Sequence, residues 1–334
     1  MAGEQQAFNS AGQKPVIYSP SYDLTVDVSH EQHPVDTRKS SHVFNELVKR
    51  GLIAAGQEIA PPRLNDADLA AVHTPAHLQR LHDPASLAKI FEVTAVSRMA
   101  MTDIDAEILD PMRYQAGGSV MAGEAALEHG WSVNLGGGYH HASSDHGHGF
   151  CAIADVTLAV QSLRAKHPEI KNVMIIDLDA HQGDGYARDF KDDPSVFIVD
   201  VYARNLFPKD EEAQERINVG QPMALGATDA EYLPVIERVL SDADKDFTPD
   251  FIFYIAGTDI LDGDPLGHAA VSRQGVMERD EMVFKYALEK EIPIAMLFGG
   301  GYQPNNAALI ADSIENLDRS FGVLRPKNAP KPSI

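Results

Sequence analysis

Cysteine is nearly absent: Cys151 is the single one in 334 residues. That excludes an intrachain disulfide and fits a reducing compartment. Long apolar runs are missing too, and none approaches the roughly 18 residues that a membrane-spanning helix needs. The opening M-A-G-E-Q-Q-A-F-N-S has neither the basic patch nor the apolar core of a signal peptide. These absences together predict a cytoplasmic protein with no membrane span. Basic charge is also scarce, with 28 Lys and Arg against 49 Asp and Glu and a formal net charge of −21. Phosphate binding needs a basic footprint, so this balance argues against nucleic acid as the main partner. An acidic surface suits cationic ligands such as lysine-rich tails or polyamines, although acidity also serves solubility alone. No motif specifies an oligomeric state.

What is present is a chain 44% hydrophobic, with no internal repeat and no low-complexity linker. One domain is therefore favoured over two. Residues 1–14 read as a polar extension, 15–320 as a single domain and 321–334 as a tail. Strands are expected at Val16–Ser19, Trp131–Asn134, Val173–Leu178, Val196–Tyr202 (alternating), Asp250–Ala256 and Ile292–Phe298. Helices are expected at Val43–Arg50, within Leu64–Leu81, at Pro84–Ile90, and at Gly117–Gly130 with Gly130 as C-cap. Further helices follow at Ala154–Ala165, from Tyr186, and at Ala230–Asp242, Gln274–Glu289 and Asn305–Leu317. Residues 203–229 read mostly as loop. This alternation implies an α/β fold with a mostly parallel central sheet flanked by helices. In such sheets ligands bind at the carboxyl ends of the strands. Four polar, glycine-rich segments fall there: Gly136–His141, Asp177–Gly185, Gly257–Asp264 and Gly299–Tyr302.

The densest of them ends the run V-M-I-I-D-L-D-A-H-Q-G-D-G, Val173–Gly185. A strand-end bend lets alternate side chains Asp179 and His181 reach one metal, and Asp259 is the candidate third ligand. Two carboxylates and one imidazole leave open positions, as catalytic sites do. The set suits Zn²⁺ but is harder than an all-histidine or cysteine set, so it also admits Fe²⁺ or Co²⁺. His140 and His141 follow three glycines. One could act as general base and the other could steer or stabilise charge, each needing a partner at its second ring nitrogen. Asp177 and Asp184 are the candidates for those partners. Tyr302, in F-G-G-G-Y, could polarise a carbonyl and stabilise an oxyanion. Phe150 and Phe207 fit either a core or the facing walls of a tunnel.

Taken together these motifs resemble the metal-dependent histone deacetylase superfamily, which has an arginase-like fold. The resemblance runs from about Pro15 to about Ser320. It is carried by G-G-G-Y-H-H-A (136–142), G-H-G-F-C (147–151), D-L-D-A-H-Q-G-D-G (177–185), A-G-T-D-I-L-D-G-D-P-L-G (256–267) and G-G-G-Y (299–302). D-L-D-A-H-Q-G, M-A-G-E-A-A-L-E-H-G-W and A-G-T-D-I-L look most like the class IV branch. The resemblance implies Asp179, His181 and Asp259 as metal ligands and His141 as principal general base and acid, coupled to Asp184. It implies a His140–Asp177 pair acting electrostatically, with Tyr302 polarising the acyl carbonyl. Phe150 and Phe207 would flank an acyl-lysine tunnel, Gly149 would contact the lysine NH, and Leu266 would lie near the rim. A structural K⁺ or Na⁺ would lie against Asp177, Asp179 and His181, with Asp200 and Val201 nearby. The chain departs from the pattern at Tyr139, where many members carry tryptophan or phenylalanine, and some class IV relatives have Asn in place of Asp184. A rim acid matches no position clearly, with Asp103 or Asp105 as candidates. Arg38 or Lys39 matches the basic residue below the tunnel.

The function implied is hydrolysis of an Nε-acyl-lysine amide in a peptide or protein. A small acylated amine such as an acetylpolyamine is the alternative substrate, which a comparison of the two substrate classes would decide. An arginase-like ureohydrolase needs a second carboxylate two residues after Asp259, where this chain has Leu261, with Asp262 out of step. A module that binds acylated partners without turnover would be expected to have lost a ligand, the base or the tyrosine. All of them are retained.

Overall fold

The computed structural model describes residues 12–26 and 34–324. Seven strands form one sheet: β1 Val16–Ile17, β2 Trp131–Asn134, β3 Val173–Asp177, β4 Val196–Ala203, β5 Val219–Met223, β6 Phe251–Ile255 and β7 Ile294–Leu297. Their order is β1-β2-β7-β6-β3-β4-β5, and every pairing is parallel. Every residue of β2, β3, β4, β6 and β7 is buried. Both faces are covered, which is why these strands read as nearly unbroken apolar runs. Val173 and Ile175 face one core with Val196, Ile198, Phe251 and Phe253. Met174 and Ile176 face the other with Phe197, Val199, Ile252 and Tyr254. A period of two divides each strand between the two cores.

The helices are α1 Lys39–Lys49, α2 Asp66–Leu69, α3 Pro75–Arg80, α4 Pro84–Ile90, α5 Met101–Ile104 and α6 Asp110–His129. They continue with α7 Asp155–Lys166, α8 Gly185–Asp189, α9 Glu211–Arg216, α10 Asp229–Asp246, α11 Arg273–Glu289 and α12 Asn306–Phe321. No helix of the described residues is long and apolar enough to cross a membrane.

Several expectations are corrected. Residues 203–229 are loop over about half their length, as expected, but also hold α9 and β5. β5 reads V-G-Q-P-M and is only partly covered, so glycine and proline hide an edge strand where proline is tolerated. β4 is buried along its whole length, its side chains alternating between the two cores rather than between core and solvent. The helix expected at Gly117 begins at Asp110 and is led by a π-turn at Asp105–Leu109; Gly130 does cap it, at φ 86°. α1 starts at Lys39 instead of Val43, because its first turn is polar and gives no apolar signal. Only Val16 and Ile17 of the first expected strand are strand. Lys14 donates its backbone N–H to Gln57 (2.7 Å), and α12 continues to Phe321, with Val323 and Leu324 buried. The rest of the expected extension (1–11) and tail (325–334) lies outside the described residues.

The topology explains where chemistry collects. β2, β7, β6 and β3 are consecutive neighbours in the sheet although they are scattered along the chain. Their carboxyl ends carry the four polar segments, so parallel pairing alone sets these loops side by side.

Candidate active site

Asp179 and His181 leave the end of β3, and Asp259 leaves the end of β6 beside it. The bend after β3 is held by its own acids: Asp177 Oδ1 accepts the N–H of Asp179 (3.1 Å) and Asp179 Oδ1 that of His181 (2.9 Å). Asp259 Oδ1 accepts the N–H of Ala180 at 2.8 Å. Asp179 Oδ2 accepts the N–H of Gly300 at 2.6 Å, which brings in the loop after β7. His181 Nδ1 lies 2.8 Å from Asp259 Oδ2 and 3.1 Å from Asp179 Oδ1. A side chain at Gly257 would strike Asp179, and a Cβ at Gly300 would lie 2.6 and 2.7 Å from the carboxylates of Asp179 and Asp259. The glycines thus permit close approach of backbone to carboxylate.

All three side chains are buried, with one donor atom from each lying within 4.8 Å of the others. Burial and the neighbouring charge of Asp179 push Asp259 up to about 7. Burial alone would lower His181, but its bonds to Asp179 and Asp259 outweigh that and raise it to about 11. The trio therefore attracts positive charge strongly. Two adjacent buried carboxylates are costly without a cation, and this donor set fits a divalent one.

The histidines are adjacent in sequence but served by different acids. His140 Nδ1 lies 2.9 Å from Asp177 Oδ2, and His141 Nδ1 lies 2.8 Å from Asp184 Oδ1. Ionised carboxylates can only accept, so each Nδ1 carries the proton and each Nε2 is turned away from its acid. Tyr186 also donates to Asp177 Oδ2 (2.8 Å). Burial opposes charge on His140, yet Asp177 and Asp179 lift it to about 10. Burial and the charge of His140 lower His141 to about 3, with Asp184 opposing. The turn that presents them is fixed by buried Asp155, which accepts from Gly138 N (2.8 Å) and Tyr139 N (2.8 Å). Tyr139 itself points into the wall, its hydroxyl donating to Gln115 Oε1 at 2.8 Å.

A cavity of about 150 Å³ joins Gly149, Phe150, His140, His141 and Tyr302 to an apolar wall that includes Val93, Val96, Ile108 and Met112. The Phe150 and Tyr302 rings meet edge to face, with centroids 6.1 Å apart. Burial and the nearby Asp179 and Asp259 hold the Tyr302 phenol well above its ordinary value, so it stays protonated and able to donate. Phe207, 42% exposed, packs edge-on against His141 with a centroid distance of 5.1 Å.

The described geometry has a counterpart among known proteins. The histone deacetylase domain profile matches residues 33–316. The chain belongs to the histone deacetylase domain family. It is 42% identical to histone deacetylase 2 of Arabidopsis thaliana over 306 residues, 91% of this chain and 78% of that protein. It is 27% identical to histone deacetylase 8 of Xenopus tropicalis, over 87% of this chain and 80% of the relative. Among solved structures, the crystal structure of the HDA15 HD domain superposes with a TM-score of 0.73 at 21% identity, covering 96% of this chain and 90% of that one. That likeness shows a shared fold. The chain is a deacetylase-family hydrolase.

In this deacetylase domain the second candidate ion site also has a structural signature. Asp200 lies beside Asp177 in register, next to buried Val201. Its Oδ2 accepts from Gly183 N (2.9 Å), while its buried Oδ1 has no hydrogen-bond partner. Burial and then Asp177 raise its pKa well above the carboxylate range. This orphaned carboxylate oxygen, in register with Asp177, is an acceptor open to a cation.

Between the two basic candidates the structure selects Lys39. Arg38 is exposed at the start of α1, whereas Lys39 lines the cavity and donates to the Gly299 carbonyl at 2.8 Å. Neither Asp103, exposed on α5, nor Asp105, in the π-turn, lines the cavity. Leu266 does not line it either. Asp264 ties it to the site instead, accepting from Leu266 N (2.9 Å), Gly267 N (3.1 Å) and Tyr302 N (2.9 Å). Leu261 is in the core and Asp262 is exposed, so the second carboxylate of a ureohydrolase is missing from this loop. Asp264 and His148 lie within the quoted motifs, but the sequence assigns neither a role. His148 donates to Asp184 Oδ2 (2.7 Å).

Proposed function

We propose that this deacetylase hydrolyses Nε-acyl-lysine amides, with a divalent metal, Zn²⁺ first among the candidates, held by Asp179, His181 and Asp259. Such an ion would polarise the acyl carbonyl and ease ionisation of water at neutral pH. His141, neutral and with Nε2 facing the cavity, accepts a proton from the attacking water. Asp184 fixes its tautomer and stabilises the imidazolium that forms. His140, drawn toward its charged form by Asp177 and Asp179, adds a positive field. The Tyr302 hydroxyl donates to the oxyanion as it develops. His141 then returns its proton to the departing lysine nitrogen. Phe150 and Phe207 flank the lysine stem, Gly149 offers its backbone to the lysine NH, and Leu266 lies by the rim. The Asp200 and Val201 site holds K⁺ or Na⁺ and stiffens the loop of Asp177, Asp179 and His181.

The observation that carries this reading is convergence: ligand trio, both histidine–carboxylate pairs and Tyr302 come together from the ends of four adjacent strands. The net charge of −21 suits a cationic peptide or protein substrate in the cytoplasm. The deciding assay is a panel of acyl-lysine peptides, from acetyl to myristoyl, with acetylpolyamines alongside, each with and without chelator. Chelator-sensitive lysine release is expected from the peptides. Turnover confined to acetylpolyamines, or a Tyr302→Phe protein with full activity, would overturn the assignment.

A further inference from the structure

Asp184 is shared. Its Oδ1 accepts from His141 at 2.8 Å, while its Oδ2 accepts from His148 at 2.7 Å. The carboxylate is buried, with side-chain exposure of 3%, and the His148 ring is 23% exposed. The rings of His141, His148 and Phe207 stand in a triangle, with centroid separations of 5.4, 5.0 and 5.1 Å. Two of its sides belong to His148, so that ring also helps keep water from the acid.

A carboxylate held by one donor can turn about its last bond, whereas donors on both oxygens fix its plane. Leaving a buried oxygen unpaired costs as much as a hydrogen bond to a charged group. His148 also begins a strained stretch, since Gly149 and Phe150 both have positive φ, at 51° and 67°. Phe150 lacks the freedom of glycine there, so the conformation needs support from its surroundings. That support comes from the Phe150 N–H donating to Ile90, the Cys151 N–H donating to His148, and the His148 side chain on Asp184.

We propose that His148 is a positioning residue: by holding the second oxygen of Asp184 it fixes the orientation of the His141 imidazole and anchors the loop that carries Gly149 and Phe150. This rests on the proposed role of His141. The sequence hides it, because a histidine between glycines gives no sign of what it faces.

The test uses the metal-loaded full chain and two amide variants. His148→Gln puts an amide nitrogen close to the place of Nε2, while His148→Asn carries the same group too short to reach Asp184. His148→Gln is expected to keep kcat within about twofold, and His148→Asn to lose about tenfold in kcat with KM within about twofold. In an Asp184→Asn background, His148→Asn should cost less than about twofold more, because the partner is already altered. Equal kcat for the Gln and Asn variants, or an undiminished loss in the Asp184→Asn background, overturns the proposal. The low-field proton signal of His141 Nδ1–H gives a readout independent of turnover. It should persist in His148→Gln and broaden or shift in His148→Asn. An inactive wild type would sink the functional reading, and this signal would still decide the role of His148.

Discussion

The imidazole centroids of His140 and His141 lie 4.0 Å apart, yet the two rings are drawn to opposite charge states. His140 is lifted to about 10 because Asp177 and Asp179 outweigh its burial, and His141 is lowered to about 3 by burial and by His140 itself. Such a separation supports the proposed acid–base role for His141 and electrostatic role for His140. His141→Ala is therefore expected to lose about 10³-fold in kcat/KM, and His140→Ala about tenfold. Steady-state kinetics on an acetyl-lysine peptide checks this. A larger loss for His140→Ala would reverse the two roles.

The Asp179–His181–Asp259 trio predicts that metal loading stabilises the protein, because it relieves two neighbouring buried carboxylates. Tm should rise by several degrees when a chelator-treated protein is reloaded with Zn²⁺. Asp259→Asn should bind less than one metal per chain by elemental analysis and lose the Tm increment together with activity. A variant that retains stoichiometric metal would remove Asp259 from the ligand set.

Much of this site was legible because its chemistry sits in contiguous motifs at strand ends. The strand Trp131–Asn134 falls where expected, and both histidine–carboxylate pairings join the partners that the resemblance implies. The illegible parts share a cause: they depend on which way a side chain faces. Arg38 precedes α1 and Lys39 is its first residue, and only the packing of α1 turns Lys39 into the cavity. Asp264 reads as one more loop acid until its three backbone partners are seen. β5 carries no clear strand pattern because glycine and proline interrupt it, which an edge strand tolerates and a central strand does not.

The apolar wall of the cavity predicts tolerance of acyl groups longer than acetyl. Val93, Val96, Ile108 and Met112 offer an apolar surface to a chain extending from the Tyr302 side. Each buried methylene contributes roughly 0.8 kcal/mol where it fits. Octanoyl-lysine peptides should be hydrolysed with kcat/KM at least equal to acetyl. Val96→Phe, which fills the wall, should reduce octanoyl turnover about tenfold and leave acetyl turnover within about threefold. Equal losses on both substrates would place the acyl chain elsewhere.

His73 predicts how stability falls in acid. Its ring is 3% exposed and bonded through both nitrogens: Nε2 accepts the N–H of Ala154 (3.1 Å), so Nδ1 carries the proton toward the Ser144 carbonyl (3.2 Å). That geometry requires the neutral ring. Burial, with His77 beside it, lowers His73 to about 4 from an ordinary 6.5. Between those values the unfolded chain binds a proton that the folded chain refuses, so stability rises with pH across the window. The contribution is complete above about pH 6.5 and is lost progressively as pH falls to about 4, by about 3 kcal/mol. Urea unfolding of the metal-loaded protein and of His73→Gln, at intervals from pH 7.5 to 4.5, isolates the effect as a difference curve. His73→Gln should be the less stable protein at pH 7.5 and should approach the wild type as pH falls. Parallel curves would mean that His73 takes up its proton in the folded state as readily as in the unfolded one.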